Sequence, residues 1–392
     1  MRKGNVYRVY PTEEQKKALE NHFGAVRFIY NRFLHIRKEA YEKQRISVNR
    51  AYLDNLLSEK KGGYFKEMYP WLKEVNSQSL QQANKNLDTA YQNFFEGRSD
   101  YPTPKSKKNY NAFQVTQRYK INLTSPKIYL PNVGWVKIEM HRDLFPNKFI
   151  ESNIVRNKVN GETVIEHDQN SEFLRTVTVS RTPTRKYYIS ILTEDNIDYP
   201  EKQAFDQSSL LGVDVGIKTY ASLSNGEKID NPKYLKASLK KLKKLQRSVS
   251  RKVKGSHNRK KAIQKLAKLH EKVANQRNDF QHKVSLKLVC ENQAIAIETL
   301  NIKGMTKNHK LAQVIQDSAW YSFVSKIMYK ADKLGKTVLK IGLFEPSSKT
   351  CHVCGYKYSN LTLKEREWTC PECQTNHDRD FECSYKYKEI CY

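Results

Sequence analysis

Four cysteines near the C-terminal end of the chain have the spacing of a metal site. Cys351 and Cys354 form one CxxC pair, and Cys370 and Cys373 form a second pair fifteen residues further on. Two such pairs supply four thiolates in the tetrahedral arrangement of a zinc ribbon. An iron–sulfur cluster or a redox pair would account for both pairs less directly. The spacing predicts one structural Zn²⁺, whose binding would supply the folding energy of a module too small to be held by burial alone.

Carboxylates stand at the ends of apolar segments. Asp214 interrupts the apolar run "LLGVDV", Glu298 ends the run "AIAIE", and Asp378 and Asp380 follow the second cysteine pair. A buried acid is costly unless it binds a metal or a hydrogen-bond donor. Taken singly, each could equally be a helix cap or an ion-pair partner. Taken as a set, they are what a two-metal phosphodiesterase requires, in which carboxylates hold two Mg²⁺ ions about 4 Å apart.

The segments around these acids predict a sheet with helices. The stretch "LLGVDVGIKTYASLS" is punctuated by Gly212 and Gly216, which indicates a buried strand, a tight turn and a second strand. Another short buried strand should end at Glu298. A helix is expected from about Leu311 to Leu334, and the strand "TVLKIGLF" should then lead to the cysteines.

A strongly basic segment lies between the two apolar strands. Residues 233 to 283 contain 18 Lys and Arg against two acids, and apolar residues keep helical spacing through them, which predicts two helices joined near Gly255 and Ser256. A solvated charged face is the alternative, but so one-sided a charge favours contact with a phosphate backbone. The candidate nucleic-acid contacts are Lys240, Lys243, Lys244, Arg247, Arg251, Lys252, Arg259 and Lys260.

The N-terminal half predicts a strand, a helical region and a β-rich region. "NVYRVYP" alternates like a strand, and Thr12 with Gln15 has capping-box spacing at a helix start. A second helix is expected from Trp71 to about Phe95, with an amide-rich face that is solvated or else touches bases or phosphates. "KIYLPNVGWVKIEM" and "LRTVTVSRTPTRKYYISILTED" predict strands, the second as a hairpin turning at residues 182–185, and "NKVNGETVIEHDQNSE" predicts an extra surface hairpin or loop.

The composition indicates a polyanionic partner. The 392 residues carry 70 Lys and Arg against 41 Asp and Glu, a formal net charge of +29. Nucleic acid is the leading partner, with a ribosome-associated or membrane-surface role as the alternative. No stretch approaches the roughly 18 apolar residues that a bilayer span needs, so a soluble, intracellular protein is expected. Cys290, Cys383 and Cys391 are scattered singles, unlike a secreted disulfide framework.

Several motifs together resemble one family. "GVDVGIKTYASLS", "AIAIETLNIKGM", "PSSKTCHVCG", "EREWTCPEC" and "HDRD" occur in the order and spacing of the TnpB (OrfB) family, transposon-encoded RNA-guided nucleases related to type V CRISPR effectors. "YPTEEQKKAL", "GAVRFIYNRFL", "LQQANKNLDTAYQNFF" and "LPNVGWVKI" are similar to its N-terminal half. The resemblance therefore covers nearly the whole chain.

The resemblance implies a multidomain α/β fold. A helical recognition lobe and a β-rich wedge module would precede a nuclease domain of the RuvC-like, RNase H type, into which the zinc ribbon is inserted. The implied boundaries are a first wedge strand at 1–10, a recognition domain at 11–109, a wedge domain at 110–205, the RuvC-like domain with the basic helix pair at 206–345, the ribbon at 346–376 and a final RuvC segment at 377–392.

The resemblance also implies roles for the acids. Asp214, Glu298 and Asp380 would form the Mg²⁺-binding catalytic triad of a DNA endonuclease, and Asp378 would be a structural neighbour. The implied partners are a guide RNA from the element's own transcript and a target DNA next to a short adjacent motif, with no membrane. The implied location is the cytoplasm of a prokaryote, on the nucleoid when DNA is bound.

The tail departs from the family pattern. After "DRD" the family usually continues as x-Asn-Ala-Ala-x-Asn-Ile, whereas this chain reads "FECSYK" and Glu382 stands where asparagine is expected. Bulk at a packed helix face would displace the helix that carries Asp380. This departure predicts a weak or inactive nuclease, so the alternative function is an RNA-guided DNA-binding protein, either a repressor or a degenerate remnant. A guide-independent transposase or junction resolvase would not need so large a basic N-terminal half.

Overall fold

The chain forms two compact units, residues 1–197 and 198–392. The structure, a computed structural model, describes residues 2–58, 62–108, 111–144, 157–159, 162–166, 174–194, 197–342, 349–359, 361, 365 and 367–390. No helix among these residues is both long enough and apolar enough to cross a membrane.

Helices α1 to α4 of the first unit follow one strand. Thr12 and Gln15 form the predicted capping box at the start of the first helix. The prediction of a helix start at Trp71 is wrong, because a 3₁₀ turn ends at extended Val75 and the Asn76 side chain then caps a new helix by accepting from the Gln78 N–H. The helices are α1 (Glu13–Gln44), α2 (Arg50–Leu56), α3 (Phe65–Met68) and α4 (Ser77–Phe95), with the 3₁₀ turn at Pro70–Glu74.

Amide side chains of α4 bind other parts of the same unit. Asn84 is fully buried, and its Nδ2 donates to Asp54 Oδ1 at 2.9 Å. Asn86 Nδ2 donates to Gln114 Oε1 at 3.2 Å. A solvated face is therefore the wrong interpretation for these residues, whose hydrogen bonds fasten α4 to α2 and to the neighbouring sheet.

A nine-stranded antiparallel sheet supplies the rest of the first unit. The strand order is β2-β8-β9-β1-β5-β4-β3-β7-β6. The strands are β1 (Arg2–Tyr10), β2 (Ala112–Val115), β3 (Lys120–Asn122), β4 (Lys127–Leu130), β5 (Gly134–Glu139), β6 (Asn157–Val159), β7 (Glu162–Glu166), β8 (Leu174–Arg181) and β9 (Tyr187–Glu194).

Two hairpins of this sheet lie in segments for which the sequence predicted a local structure. The predicted hairpin at residues 182–185 is confirmed: the Arg185 N–H donates to the Thr182 carbonyl, and Arg185 has a φ of 63°. The segment expected as a surface hairpin or loop forms the β6–β7 hairpin. It is more than a surface feature, because β7 pairs with β3 and buries Val164 and Ile165.

A five-stranded sheet lies at the centre of the second unit. Its order is β12-β11-β10-β13-β14, in which β11 runs antiparallel to β10 while β10, β13 and β14 are parallel. The predicted strand–turn–strand around Gly216 and the strand ending at Glu298 are confirmed. The strands are β10 (Leu210–Val215), β11 (Thr219–Leu223), β12 (Lys228–Asp230), β13 (Ala294–Glu298) and β14 (Thr337–Ile341).

The helices of this unit connect and cover the sheet. The basic pair is confirmed, and Ser256 caps its second helix. The helices are α5 (Tyr234–Ser250), α6 (His257–Glu291), α7 (Ile302–Met305), α8 (His309–Ser318), α9 (Trp320–Lys333) and α10 (Arg379–Ile390).

The helix expected from Leu311 to Leu334 is two helices. Ala319 adopts a left-handed conformation (φ 48°) between α8 and α9. Gln281, fully buried on α6, donates from Nε2 to the carbonyls of Ser318 and Ala319 at 3.1 and 3.2 Å. A side chain from a distant helix thus satisfies two carbonyl groups at the junction of α8 and α9. These hydrogen bonds offset the free-energy cost of interrupting the helix.

Helix α10 packs closely on the sheet at Gly212. A Cβ atom on Gly212 would lie 1.7 Å from the Ser384 carbonyl oxygen, so only glycine allows this approach of strand and helix. Ser384 is fully buried, and Cys383 and Tyr387 belong to a core with Leu210, Ala294, Ala296 and Ile341.

Substitution at Gly212 should loosen this packing. We expect Gly212→Ala to lower the free energy of unfolding by about 1–3 kcal/mol, because the added methyl group meets backbone rather than a movable side chain. Gly342→Ala is the matched control, since no atom of a described residue lies within 4 Å of its added Cβ. Denaturant unfolding measures both variants, and equal stability of the two would refute the close packing.

Candidate metal centres and nucleic-acid interface

Asp214 and Glu298 lie side by side at the centre of the five-stranded sheet. Strands β10 and β13 are parallel with Val213 opposite Ile297, so the next positions are the two acids. Residues at the same register of adjacent strands project to the same face. Both acids are half-buried, which places the pair at a surface that an ion or a substrate can reach.

A tyrosine hydroxyl joins the two carboxylates. Tyr387 Oη lies 3.4 Å from Asp214 Oδ1, and the same hydroxyl hydrogen-bonds the Glu298 carboxylate. Burial raises the pKa of Glu298, and the hydrogen bond from Tyr387 opposes that rise. Carboxylate oxygens are the ligands that Mg²⁺ prefers, so the chemistry of this pair fits a magnesium site. Tyr387 was not singled out from the sequence, although it lies seven residues, or two helical turns, beyond Asp380.

Of the other two acids, the structure describes the side chain of Asp378 but not that of Asp380. Asp380 is in the first turn of α10, and its side chain lies outside the described residues, as does that of Glu382. Asp378 ends a short strand, and its Oδ2 lies 2.6 Å from Lys228 Nζ. This ion pair joins the short strand after the cysteine cluster to β12.

The four predicted zinc ligands cluster. The Sγ atoms of Cys351, Cys354, Cys370 and Cys373 all lie within 4.8 Å of one another, and among the described side chains they are the one group of three or more potential metal ligands. The Cys351–Cys373 and Cys354–Cys370 Sγ distances are 3.6 and 3.5 Å. Tetrahedral Zn–S bonds of about 2.3 Å require sulfur atoms about 3.8 Å apart, so the cluster fits zinc.

Two polar side chains contact the sulfur atoms of the cluster. Thr375, whose hydroxyl lies 3.2 Å from Cys373 Sγ, lowers the pKa of that thiol to about 6. His377 is buried, and its Nε2 lies 3.1 Å from Cys351 Sγ. His377 was not singled out from the sequence. Strands β15 (Glu367–Thr369) and β16 (Asn376–Asp378) form the hairpin that carries these neighbours.

The basic helix pair presents an exposed cationic groove. An open groove of about 680 Å³ on α5 and its C-terminal end is lined by Ser248 and by six of the predicted contacts, Lys240, Lys243, Lys244, Arg247, Arg251 and Lys252. No carboxylate of a described residue forms an ion pair with Lys243, Arg247 or Arg251. The groove is therefore a surface of uncompensated positive charge.

The two remaining predicted nucleic-acid contacts, Arg259 and Lys260, differ in how far they are buried. Lys260 is exposed on α6. Arg259 is half-buried, and its Nη1 donates to the carbonyls of Val249 and Lys252 at 3.2 and 2.7 Å. Arg259 thus links the C-terminal end of α5 to the start of α6, and its contact with a phosphate stays a prediction.

Neutralising the groove should weaken nucleic-acid binding in a salt-dependent way. We expect Lys243→Ala/Arg247→Ala/Arg251→Ala to reduce the slope of log affinity against log salt by up to about three units, since each phosphate contact contributes about 0.9. Lys202→Ala/Lys287→Ala is the control, because those lysines lie outside the groove and pair with Asp332 and Glu227. Filter binding across salt concentrations measures the slopes, and an unchanged slope in the triple variant would mean that the groove is only solvated.

Three family models match the chain. They are described as "Probable transposase" (residues 189–309), "Helix-turn-helix domain" (residues 1–45) and "Cas12f1-like, TNB domain" (residues 320–386). The first spans β10, β13 and the basic helices, and the third spans the cysteine cluster and most of α10. Residues 2–44 here contain one strand and one long helix, β1 and α1.

Similar proteins match along nearly the full length. A Streptomyces pristinaespiralis protein named "Putative RNA-guided DNA endonuclease" is 38% identical over 95% of this chain and 85% of its own length. The Escherichia coli K12 protein "Putative RNA-guided DNA endonuclease InsQ" is 29% identical over 93% and 86%. The solved structure of the "mini-RNA-guided endonuclease CRISPR-Cas_phi3" covers 100% of this chain and 92% of its own with a TM-score of 0.51 at 9% identity, which shows similarity of fold alone. The chain therefore belongs to the TnpB (OrfB) family.

Proposed function

We propose that this chain is an RNA-guided DNA endonuclease that hydrolyses phosphodiester bonds at a RuvC-like site formed by Asp214, Glu298 and Asp380. The observation that carries the proposal is the adjacent placement of Asp214 and Glu298 on parallel central strands, with the helix of Asp380 packed on the same strands. The printed names of the full-length relatives support the same activity.

The topology of the second unit supports an RNase H-type interpretation. Its five strands have one antiparallel member, β11, beside the strand that carries the first acid. Such a sheet brings acids from distant parts of the sequence to one face. The final helix, which follows the cysteine cluster directly, adds the third acid from the chain's end. The ribbon would thus be an insertion after which the chain re-enters the nuclease fold.

The residues present fit two magnesium ions and one zinc ion. Asp214, Glu298 and Asp380 would hold Mg²⁺, which when bound would activate the attacking water and stabilise the leaving 3′ oxygen. The chain's own contribution is to fix Asp214 and Glu298 on adjacent strands and to pack the helix of Asp380 on the same strands. The four cysteines would hold Zn²⁺ in a structural role, because four protein ligands leave no position for a substrate.

The packing of α10 against the sheet supports an active enzyme. The physical reason to expect weak or absent cleavage is that bulky residues after Asp380 would displace this helix. Cys383 and Ser384, which stand in place of the usual alanines, are both buried within the packed helix. They therefore fill the helix–sheet contact without preventing it.

The first unit and the basic groove are proposed to bind the nucleic acids. Helices α1 to α4 would form the recognition domain, and the nine-stranded sheet would form the wedge module that grips guide RNA. The pairing of β1 with β5 and β9 supports the assignment of residues 1–10 to that module. The exposed lysines and arginines of α5 would contact phosphates of the guide or the target.

Sequencing the RNA bound to the chain tests the proposal. The protein is produced together with its flanking DNA, purified at moderate salt, and its RNA is extracted and sequenced. We expect one discrete transcript that ends in a variable segment complementary to the target. A random RNA population, or cleavage of DNA that is the same with and without this RNA, would overturn an RNA-guided function.

A further inference from the structure

One buried hydroxyl group lies between the two carboxylates of the candidate magnesium site. Tyr387 Oη is 3.4 Å from Asp214 Oδ1 and hydrogen-bonds Glu298. A phenol carries one hydrogen and two lone pairs, and ionised carboxylates only accept. The single hydrogen is therefore shared between two acceptors on neighbouring strands, which draws the two carboxylates toward one point.

The packing of its ring fixes this hydroxyl in space. Tyr387 is 2% exposed and packs with Leu210, Ala294 and Ala296, which belong to the same two strands as the acids. The close approach at Gly212 holds α10 against strand β10. The hydroxyl therefore cannot move independently of the strands, and it transmits the position of α10 to Asp214 and Glu298.

We propose that Tyr387 is a positioning residue, whose hydroxyl orients the Asp214 and Glu298 carboxylates and so strengthens divalent-cation binding at the site. The proposal rests on the proposed function, because it takes these acids to be metal ligands. Hydrogen bonds to ligating side chains commonly orient them, and removal of such a partner costs about 10–100-fold in metal affinity or activity. Tyr387 does not itself become a ligand in this role.

Tyr387→Phe isolates the hydroxyl from the packing of the ring. The phenyl ring keeps the contacts with the sheet, so the variant should fold. Tyr220→Phe is the matched control, since Tyr220 is also fully buried in this unit. Its hydroxyl donates to the Ser318 carbonyl at 3.2 Å and accepts from Gln281 Nε2 at 3.0 Å. Loss of that hydroxyl removes structural hydrogen bonds alone.

The test is Mn²⁺ binding to the zinc-loaded full chain at fixed pH, followed by electron paramagnetic resonance, with thermal unfolding measured in parallel. We expect Tyr387→Phe to weaken Mn²⁺ binding about 10–100-fold. Tyr220→Phe should lower the unfolding temperature and leave Mn²⁺ binding unchanged. In guided cleavage, Tyr387→Phe should raise the Mg²⁺ concentration needed for half-maximal rate more than it lowers the rate at saturating Mg²⁺.

The possible outcomes distinguish failure of the positioning role of Tyr387 from failure of the proposed function. Asp214→Ala should remove the Mn²⁺ signal of the parent chain, and a signal insensitive to that substitution would overturn the proposed function. If the signal depends on Asp214 but Tyr387→Phe binds Mn²⁺ as tightly as the parent chain, the positioning role is overturned. The same holds if Tyr220→Phe weakens binding equally, because the effect would then come from stability alone.

Discussion

Replacing Asp214 or Glu298 with alanine is expected to abolish DNA cleavage while guided DNA binding remains. In the proposed mechanism the two acids would supply neighbouring ligands for the magnesium ions, whereas affinity for the target would come from base pairing and phosphate contacts. Loss of one group that stabilises transition-state charge typically costs about 10²–10³-fold in rate. We expect at least that loss here, because the remaining carboxylates cannot hold both ions in place.

The measurement is single-turnover cleavage together with binding of a labelled target, at equal guide occupancy of all variants. Asp279→Ala is the control, since Asp279 is an exposed acid on α6 that pairs with Lys283 one helical turn away. It should cleave like the parent chain. Cleavage at the parent rate by Asp214→Ala would remove that residue from the catalytic site.

Replacing Cys351 with serine is expected to cost the chain about one zinc ion and to unfold the ribbon. Cys351 is fully buried and its Sγ contacts both Cys373 and His377. Three remaining thiolates cannot close a structural site, and in a module this small metal binding supplies the folding energy. Because β16 leads directly into α10, cleavage should fall along with the zinc content.

Elemental analysis and limited proteolysis measure this effect. Cys290→Ser is the matched control, because Cys290 is an exposed thiol on α6 outside the cluster. It should keep its zinc and its resistance to protease between residues 349 and 378. A parent chain that purifies without zinc, yet is folded and cleaves DNA, would contradict the structural role of the cluster.

The sequence was sufficient to predict those strands and sites for which a local residue pattern determines the local structure. The apolar run around Asp214, divided by glycines, predicted the β10–β11 hairpin, and the run before Glu298 predicted β13. The cysteine spacing predicted a cluster because two CxxC pairs at this separation can supply four thiolates to one metal ion. Sequence alone could not show that Val213 lies opposite Ile297, and this register is what brings the two acids together.

Tertiary contacts decide the features that the sequence did not show. Alanine has no preference for a left-handed conformation, so the break at Ala319 depends on Gln281 from a distant helix. The amides of α4 read as a polar surface, yet Asn84 is buried because Asp54 accepts its hydrogen bond. Tyr387 and His377 fit ordinary core patterns, and only the folded chain shows which polar groups they face.

Guided cleavage by the unaltered chain is the decisive measurement for the proposed endonuclease activity. The chain, loaded with the RNA with which it co-purifies, is incubated with Mg²⁺ and either a matched DNA duplex or one mismatched over the seed segment next to the adjacent motif. We predict that the matched duplex is cut, that the mismatched duplex stays intact, and that chelation of the divalent cation stops the reaction. Binding of the matched duplex without any cut, at full guide occupancy, would rule out the endonuclease activity and identify the chain as an RNA-guided binding protein.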